Sequence, residues 1–141
     1  MFQWLGLALG SFQLTGCIGP PVTPEGRVYH CVGTARPVAS SGTWAKPLPL
    51  ERFEYGDRVV TDRPTVGSGS YCAILLVPQT AYIRYRVDGR VIEKRFDLSA
   101  LTPIRVAKKT IEFYVDGDSV EVRLVTTVPG DWPVRETVVK Q

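Results

Sequence analysis

Two stretches of this chain alternate so regularly that their strand register can be written down from sequence. Ile111, Phe113 and Val115 alternate with Glu112 and Tyr114, and Val120, Val122 and Leu124 alternate with Glu121 and Arg123. A turn through Asp116-Gly117-Asp118-Ser119 sets Val115 opposite Val120, Phe113 opposite Val122 and Ile111 opposite Leu124, with Glu112 facing Arg123 on the other side. A one-residue slip would scatter the apolar side chains over both faces, so one register is favoured. The second stretch, residues 81–96, turns at Asp88-Gly89. Asp-Gly between strand-like runs predicts a type I′ turn, whose two central residues need positive φ. That turn pairs Val87 with Arg90, Tyr85 with Ile92 and Ala81 with Phe96 on one face, and Arg84 with Glu93 on the other.

Weaker strand patterns cover residues 28–32, 58–61, 71–77 and 134–139. The run Ala73-Ile74-Leu75-Leu76-Val77 is apolar at every position, which predicts a central strand. The run at 134–139 reads as a last edge strand, residues 39–49 as a long Ser/Gly/Pro loop, and residues 97–101 as one helical turn. At 141 residues the chain has room for one domain, and its 11 prolines and 13 glycines favour many turns over long helices. An apolar share of 44% with 22% charged residues excludes a disordered chain or a coiled-coil rod. No uninterrupted apolar run reaches the roughly 20 residues of a membrane-spanning helix. The fold expected is all-β: a small antiparallel β-sandwich of about seven strands over residues 26–141, with a single twisted sheet or a small open barrel as alternatives.

Residues 1–16, MFQWLGLALGSFQLTG, form an uncharged apolar stretch that ends at Leu14-Thr15-Gly16-Cys17. Such a stretch has the length of a secretory h-region and ends in small residues. The tetrapeptide resembles the lipobox of bacterial lipoproteins, with Leu at −3, a small residue at −2, Gly at −1 and the cysteine to be acylated. The stretch departs from the family pattern in lacking a basic residue near Met1. The resemblance covers residues 1–17 only. It implies a cleaved signal peptide over 1–16, acylation of Cys17 and a lipid-anchored protein of the cell envelope. Two or three acyl chains make such an anchor stable. Residues 17–25 then form a tether, held extended by Pro20, Pro21 and Pro24. Ile18 stands where inner-membrane lipoproteins typically carry Asp, so in a two-membrane cell the resemblance implies the outer membrane, facing the periplasm.

With Cys17 set aside, Cys31 and Cys72 remain. In an oxidising compartment an even pair is expected to form a disulfide, the alternative being two buried free thiols. His30 is the chain's one histidine and no CxxC occurs. Its neighbour Cys31 would point to the opposite face of a strand, so the two are poor co-ligands and no metal site is expected.

No motif for chemistry emerges. A Ser-His-Asp mechanism needs a base beside a nucleophile, and nothing in sequence ties His30, read as a half-buried strand residue, to a serine. Gly67-Ser68-Gly69-Ser70 is neither a nucleophile elbow nor a phosphate loop, and reads as a turn. Asp116-Gly117-Asp118-Ser119 lacks the spaced ligands of a calcium loop. No cofactor is implied. The net charge of +3 is too small to point to nucleic acid. One surface is uneven: the hairpin over residues 81–96 carries Arg84, Arg86, Arg90, Lys94 and Arg95 against Asp88 and Glu93, a candidate interaction surface for an acidic partner or anionic headgroups. Tyr82 and Trp132 are candidates to extend it, although aromatics in small β-domains mostly fill cores. The function expected is non-enzymatic: an envelope lipoprotein, anchored in the membrane, that docks on an envelope protein in assembly, in secretion or conjugation, or as an inhibitor. The alternative is a structural virion or assembly subunit that keeps its N-terminal segment.

Overall fold

The computed structural model describes residues 22–38, 46–60 and 63–141. Cys17, the lipobox-like segment, most of the tether and residues 39–45 of the expected loop lie outside the described residues. Among the described residues nine strands and one short helix follow one another: β1 (Arg27–Ala35), β2 (Leu50–Tyr55), β3 (Arg58–Val59), β4 (Gly69–Leu76), β5 (Thr80–Val87), β6 (Arg90–Asp97), α1 (Pro103–Val106), β7 (Thr110–Asp116), β8 (Ser119–Thr126) and β9 (Val134–Lys140). They build two sheets, in the orders β4-β1-β7-β8-β9 and β3-β2-β5-β6. The inner faces share one core, to which Val32, Ile111, Phe113, Val115, Val120, Val122 and Leu124 contribute from the first sheet. Phe53, Tyr55, Ala81, Ile83, Tyr85, Val87 and Phe96 contribute from the second. The fold is an all-β sandwich.

Both hairpins adopt the registers that their alternation dictates. Val115 pairs with Val120, Phe113 with Val122, Ile111 with Leu124 and Glu112 with Arg123. Val87 pairs with Arg90, Tyr85 with Ile92, Ala81 with Phe96 and Arg84 with Glu93. Asp88 and Gly89 have φ of 49° and 77°, the two positive values of a type I′ turn. At the other hairpin Gly117, with φ 58°, supplies the positive first residue of a two-residue turn. The hairpins are tied together across the sandwich, since the buried Tyr85 donates its hydroxyl to the Gly117 carbonyl at 2.7 Å. At the centre, Phe113 is fully buried and meets Phe53 and Phe96 edge to face, with ring centroids 4.9 and 5.4 Å away.

The structure departs from expectation at four places. The described residues form nine strands rather than about seven. The extra pairing comes from β2, where a register irregularity between Leu50 and Arg52 interrupts the alternation that Phe53 and Tyr55 complete. The sandwich is not purely antiparallel, because β1 runs parallel to β7. The run Ala73–Val77 is not central: β4 is the outermost strand of its sheet. Leu75 enters the core, whereas Ile74 and Leu76 are 57% and 48% exposed on the outer face. A run apolar at every position signals burial of both faces only where a further layer covers the sheet, and a two-layer sandwich leaves each outer face bare. Finally, the helical turn falls at α1 and not at residues 97–101. There Asp97 accepts the Ser99 N–H, and Leu98 and Leu101 insert into the core. Thr102 supplies the N-cap, accepting the Arg105 N–H, and Pro103 opens the helix.

Candidate contact surfaces

Cross-strand pairing sorts the basic hairpin onto two faces. Arg84, Arg86 and Arg95 project from the outer face of β5 and β6, alongside Tyr82 and Glu93. Arg90 and Lys94 share the face of Ile92 and Phe96, at the open edge of the sheet. Charges turned inward on an edge strand discourage pairing with another chain. The five cations therefore do not form one patch, and three of them are matched by carboxylates. Arg84 binds Glu51 at 2.6 Å and Glu93 at 3.3 Å, and Arg86 also binds Glu51. Arg90 spans to Asp118 at 3.0 Å, joining the two hairpin turns. The Arg86 and Arg84 guanidiniums hold the Glu51 carboxyl below its usual range, and Arg90 does the same for Asp118. Arg95 lies over the Tyr82 ring, 4.7 Å from its centroid, while the Tyr82 hydroxyl donates to Glu93. Tyr82 thus extends this outer face, a ladder of fixed charges with alternating sign.

His30 is fully buried rather than half-buried. Its Nδ1 donates to the Val28 carbonyl at 2.8 Å, which leaves Nε2 to accept the Tyr55 hydroxyl at 2.7 Å. Burial pushes the imidazole pKa down and the Tyr55 hydroxyl pKa up, so both groups stay neutral. The pair bridges β1 of one sheet to β2 of the other. Both ring nitrogens are occupied and out of contact with water, an arrangement suited to joining sheets and not to proton exchange with a ligand.

Cys31 and Cys72 form a disulfide. They face each other directly on β1 and β4, with Cα atoms 4.0 Å apart. The Cys31 N–H is given to Lys109 on the other side of β1, so this is a non-hydrogen-bonded pair, the closer of the two antiparallel spacings. Of the Gly67-to-Ser70 segment, read as a turn, only Gly67 and Ser68 turn the chain, the Gly67 N–H donating to the Thr34 hydroxyl and the Ser68 hydroxyl to the Thr65 carbonyl, while Gly69 and Ser70 open β4 and pair with Thr34 and Gly33. Among the described residues no group of three or more His, Cys, Asp or Glu is placed to hold a metal ion.

Trp132 does not fill the core. It is 87% exposed in the connection between β8 and β9. Ile104 on α1 is 74% exposed, and Tyr29, beside Ile74 on the outer face, is about half exposed. Alternation along a hairpin sorts side chains between its two faces but carries no information on which sheet face or end stays bare. Comparison with protein-family models, curated proteins and solved structures found no match for this chain.

Proposed function

We propose that this protein is an exported lipoprotein, anchored to the cell envelope through Cys17, whose β-sandwich works by contact with an envelope protein and not by catalysis. The observation that carries the reading is Leu14-Thr15-Gly16-Cys17, at the end of an uncharged apolar stretch and followed by a proline-rich tether. The Cys31–Cys72 disulfide supports an oxidising compartment. The sole imidazole is sealed in the core with both nitrogens engaged, which supports a role without acid–base chemistry. The outer face of β5 and β6 supplies the contact, since its ion pairs fix Arg84, Arg86 and Glu51 in place and so lower the entropy lost on binding.

The test is recovery of envelope partners on the detergent-solubilised protein and on an Arg84→Ser, Arg86→Ser, Arg95→Ser variant with an unchanged circular dichroism spectrum. The reading expects partners that the native protein releases as salt rises and that the variant fails to retain, because exposed charges are screened beyond about 8 Å at physiological ionic strength. The same partners at the same salt tolerance would remove this face from the contact.

A further inference from the structure

Strand direction gathers most of the exposed apolar side chains at one end of the sandwich. β4 runs antiparallel to β1, β7 parallel to β1, β8 antiparallel to β7 and β9 antiparallel to β8. The starts of β1, β7 and β9 and the ends of β4 and β8 therefore share an end. A single row across the sheet, Cys72, Cys31, Thr110, Val125 and Arg135, marks the last level at which these strands are all paired. Below it stand Tyr29, Ile74 and Leu76, then Ile104 on α1, Trp132 with Val128 in the β8–β9 connection, and Val134. α1 is held at this level because the Lys108 N–H donates to the Tyr29 carbonyl at 2.8 Å. Cations rim the same end. Lys108 and Lys109 make no ion pair among the described residues, and Arg27 starts β1. Of the acids here, Glu136 is taken up by Arg105, Asp131 accepts the Trp132 N–H, Glu25 in the entry turn interacts with Arg27, and Asp57 lines a depression together with Arg27 and Leu76.

This is also the end where the chain enters the sandwich, at Val22 and the turn that follows it. We infer that this end lies on the membrane surface: Trp132, Ile104, Tyr29, Ile74 and Leu76 enter the headgroup region of an anionic bilayer, and Lys108, Lys109 and Arg27 meet its phosphates. The inference rests on the Cys17 anchor proposed above, and it assigns the domain one orientation on the membrane. Val22 follows Cys17 by five residue steps, which span at most about 18 Å when extended. β1, with nine residues, is roughly 30 Å long at about 3.3 Å per residue, so a chain anchored at Cys17 holds this end much closer to the bilayer than the other. The surface has the composition the interface favours, with tryptophan and tyrosine at headgroup level among aliphatic tips and a basic rim. The same end holds an open depression lined by Arg27, Asp57, Leu76 and Gln79, and Tyr29, Ile74, Ile104 and Trp132 stand outside it as exposed single side chains.

Trp132 reports on this directly. The chain has three tryptophans, so Trp4→Phe and Trp44→Phe leave Trp132 as the sole fluorophore. This full-length variant, purified from the envelope, is placed on phosphatidylcholine vesicles containing phosphatidylglycerol, with and without brominated acyl chains. The inference expects a blue-shifted Trp132 emission that brominated lipid quenches. It also expects the contact equilibrium to fall roughly 30-fold in Lys108→Gln, Lys109→Gln, which removes two basic charges worth about fivefold each near an anionic surface. Unquenched Trp132 with its emission as in buffer, on vesicles that carry the protein, would overturn the inference and leave this end for a protein partner. Failure to bind the vesicles with Trp132 unchanged would overturn it as well. The intact mass of the same preparation reports on acylation separately, so loss of the anchor and loss of the orientation are read apart.

Discussion

Phe113→Ala strikes the point where both sheets meet. Phe113 is completely buried and its ring contacts two other aromatic rings, Phe53 and Phe96, both from the opposite sheet. Truncation of a buried phenylalanine to alanine costs about 3–5 kcal/mol from lost transfer energy and the cavity left behind. Loss of two edge-to-face pairs places this site in the upper part of that range, at about 0.5–1.5 kcal/mol for each pair. For a folded unit of roughly 120 residues the unfolding entropy is about 0.25 kcal/mol/K, so a loss of about 4–5 kcal/mol lowers Tm by about 16–20 °C. That is a large share of the roughly 5–15 kcal/mol that typically holds a domain together. The assay is urea and thermal unfolding under non-reducing conditions, with Phe113→Leu as a partner variant that keeps much of the volume and loses far less. A loss below about 1 kcal/mol with an unchanged denaturant slope would refute the reasoning, because it would mean that the sheets do not close over Phe113.

Two further outcomes follow from the same geometry. Non-reducing peptide mapping recovers Cys31 joined to Cys72, and the Cys31→Ser, Cys72→Ser variant loses about 4 kcal/mol on the chain-entropy model for a loop of this size; two freely alkylated thiols would contradict the pairing. The buried imidazole of His30 binds a proton less readily than in the unfolded chain. Stability is therefore full above the unfolded value of about 6.5 and is lost as pH falls below it, on the way down to the folded value. Urea midpoints from pH 8 to pH 5 check this, together with an NMR titration of the single imidazole; a midpoint that holds constant to pH 5, or an imidazole that titrates at or above about 6.5, would show that His30 is not buried as described.

The parts of the fold legible in the sequence are those fixed by local rules. Asp88-Gly89 sets a turn type, the turn sets a register, and the register sends Tyr85, Ile83 and Ala81 inward. The β7–β8 hairpin follows in the same way. What stayed hidden depends on non-local assembly. That β1 sits between β4 and a parallel β7 is decided by how two sheets share one core, and no local pattern in residues 27–35 carries that information. The placing of β4 at an edge follows from the same assembly. The start of α1 was readable, since Thr102-Pro103 is a cap followed by a helix-opening proline, yet the leucines at 98 and 101 gave a competing helical spacing. At the basic hairpin the sequence supplied the cations, but Glu51, which binds Arg84 and Arg86, and Asp118, which binds Arg90, come from other strands and turns. Their contribution needed the fold.

Anchoring and orientation both depend on Cys17, whose acylation is read by intact mass spectrometry of the protein purified from its own envelope. Loss of residues 1–16 with an added mass equal to a diacylglyceryl group, and to a further acyl chain where the new amino terminus is modified, is the result expected. A Cys17→Ser variant then keeps residues 1–16, gains no lipid and loses the stable anchoring that several acyl chains provide. An unmodified chain beginning at Met1 in the native protein would contradict the anchor, and with it both the proposed function and the orientation inferred for the sandwich.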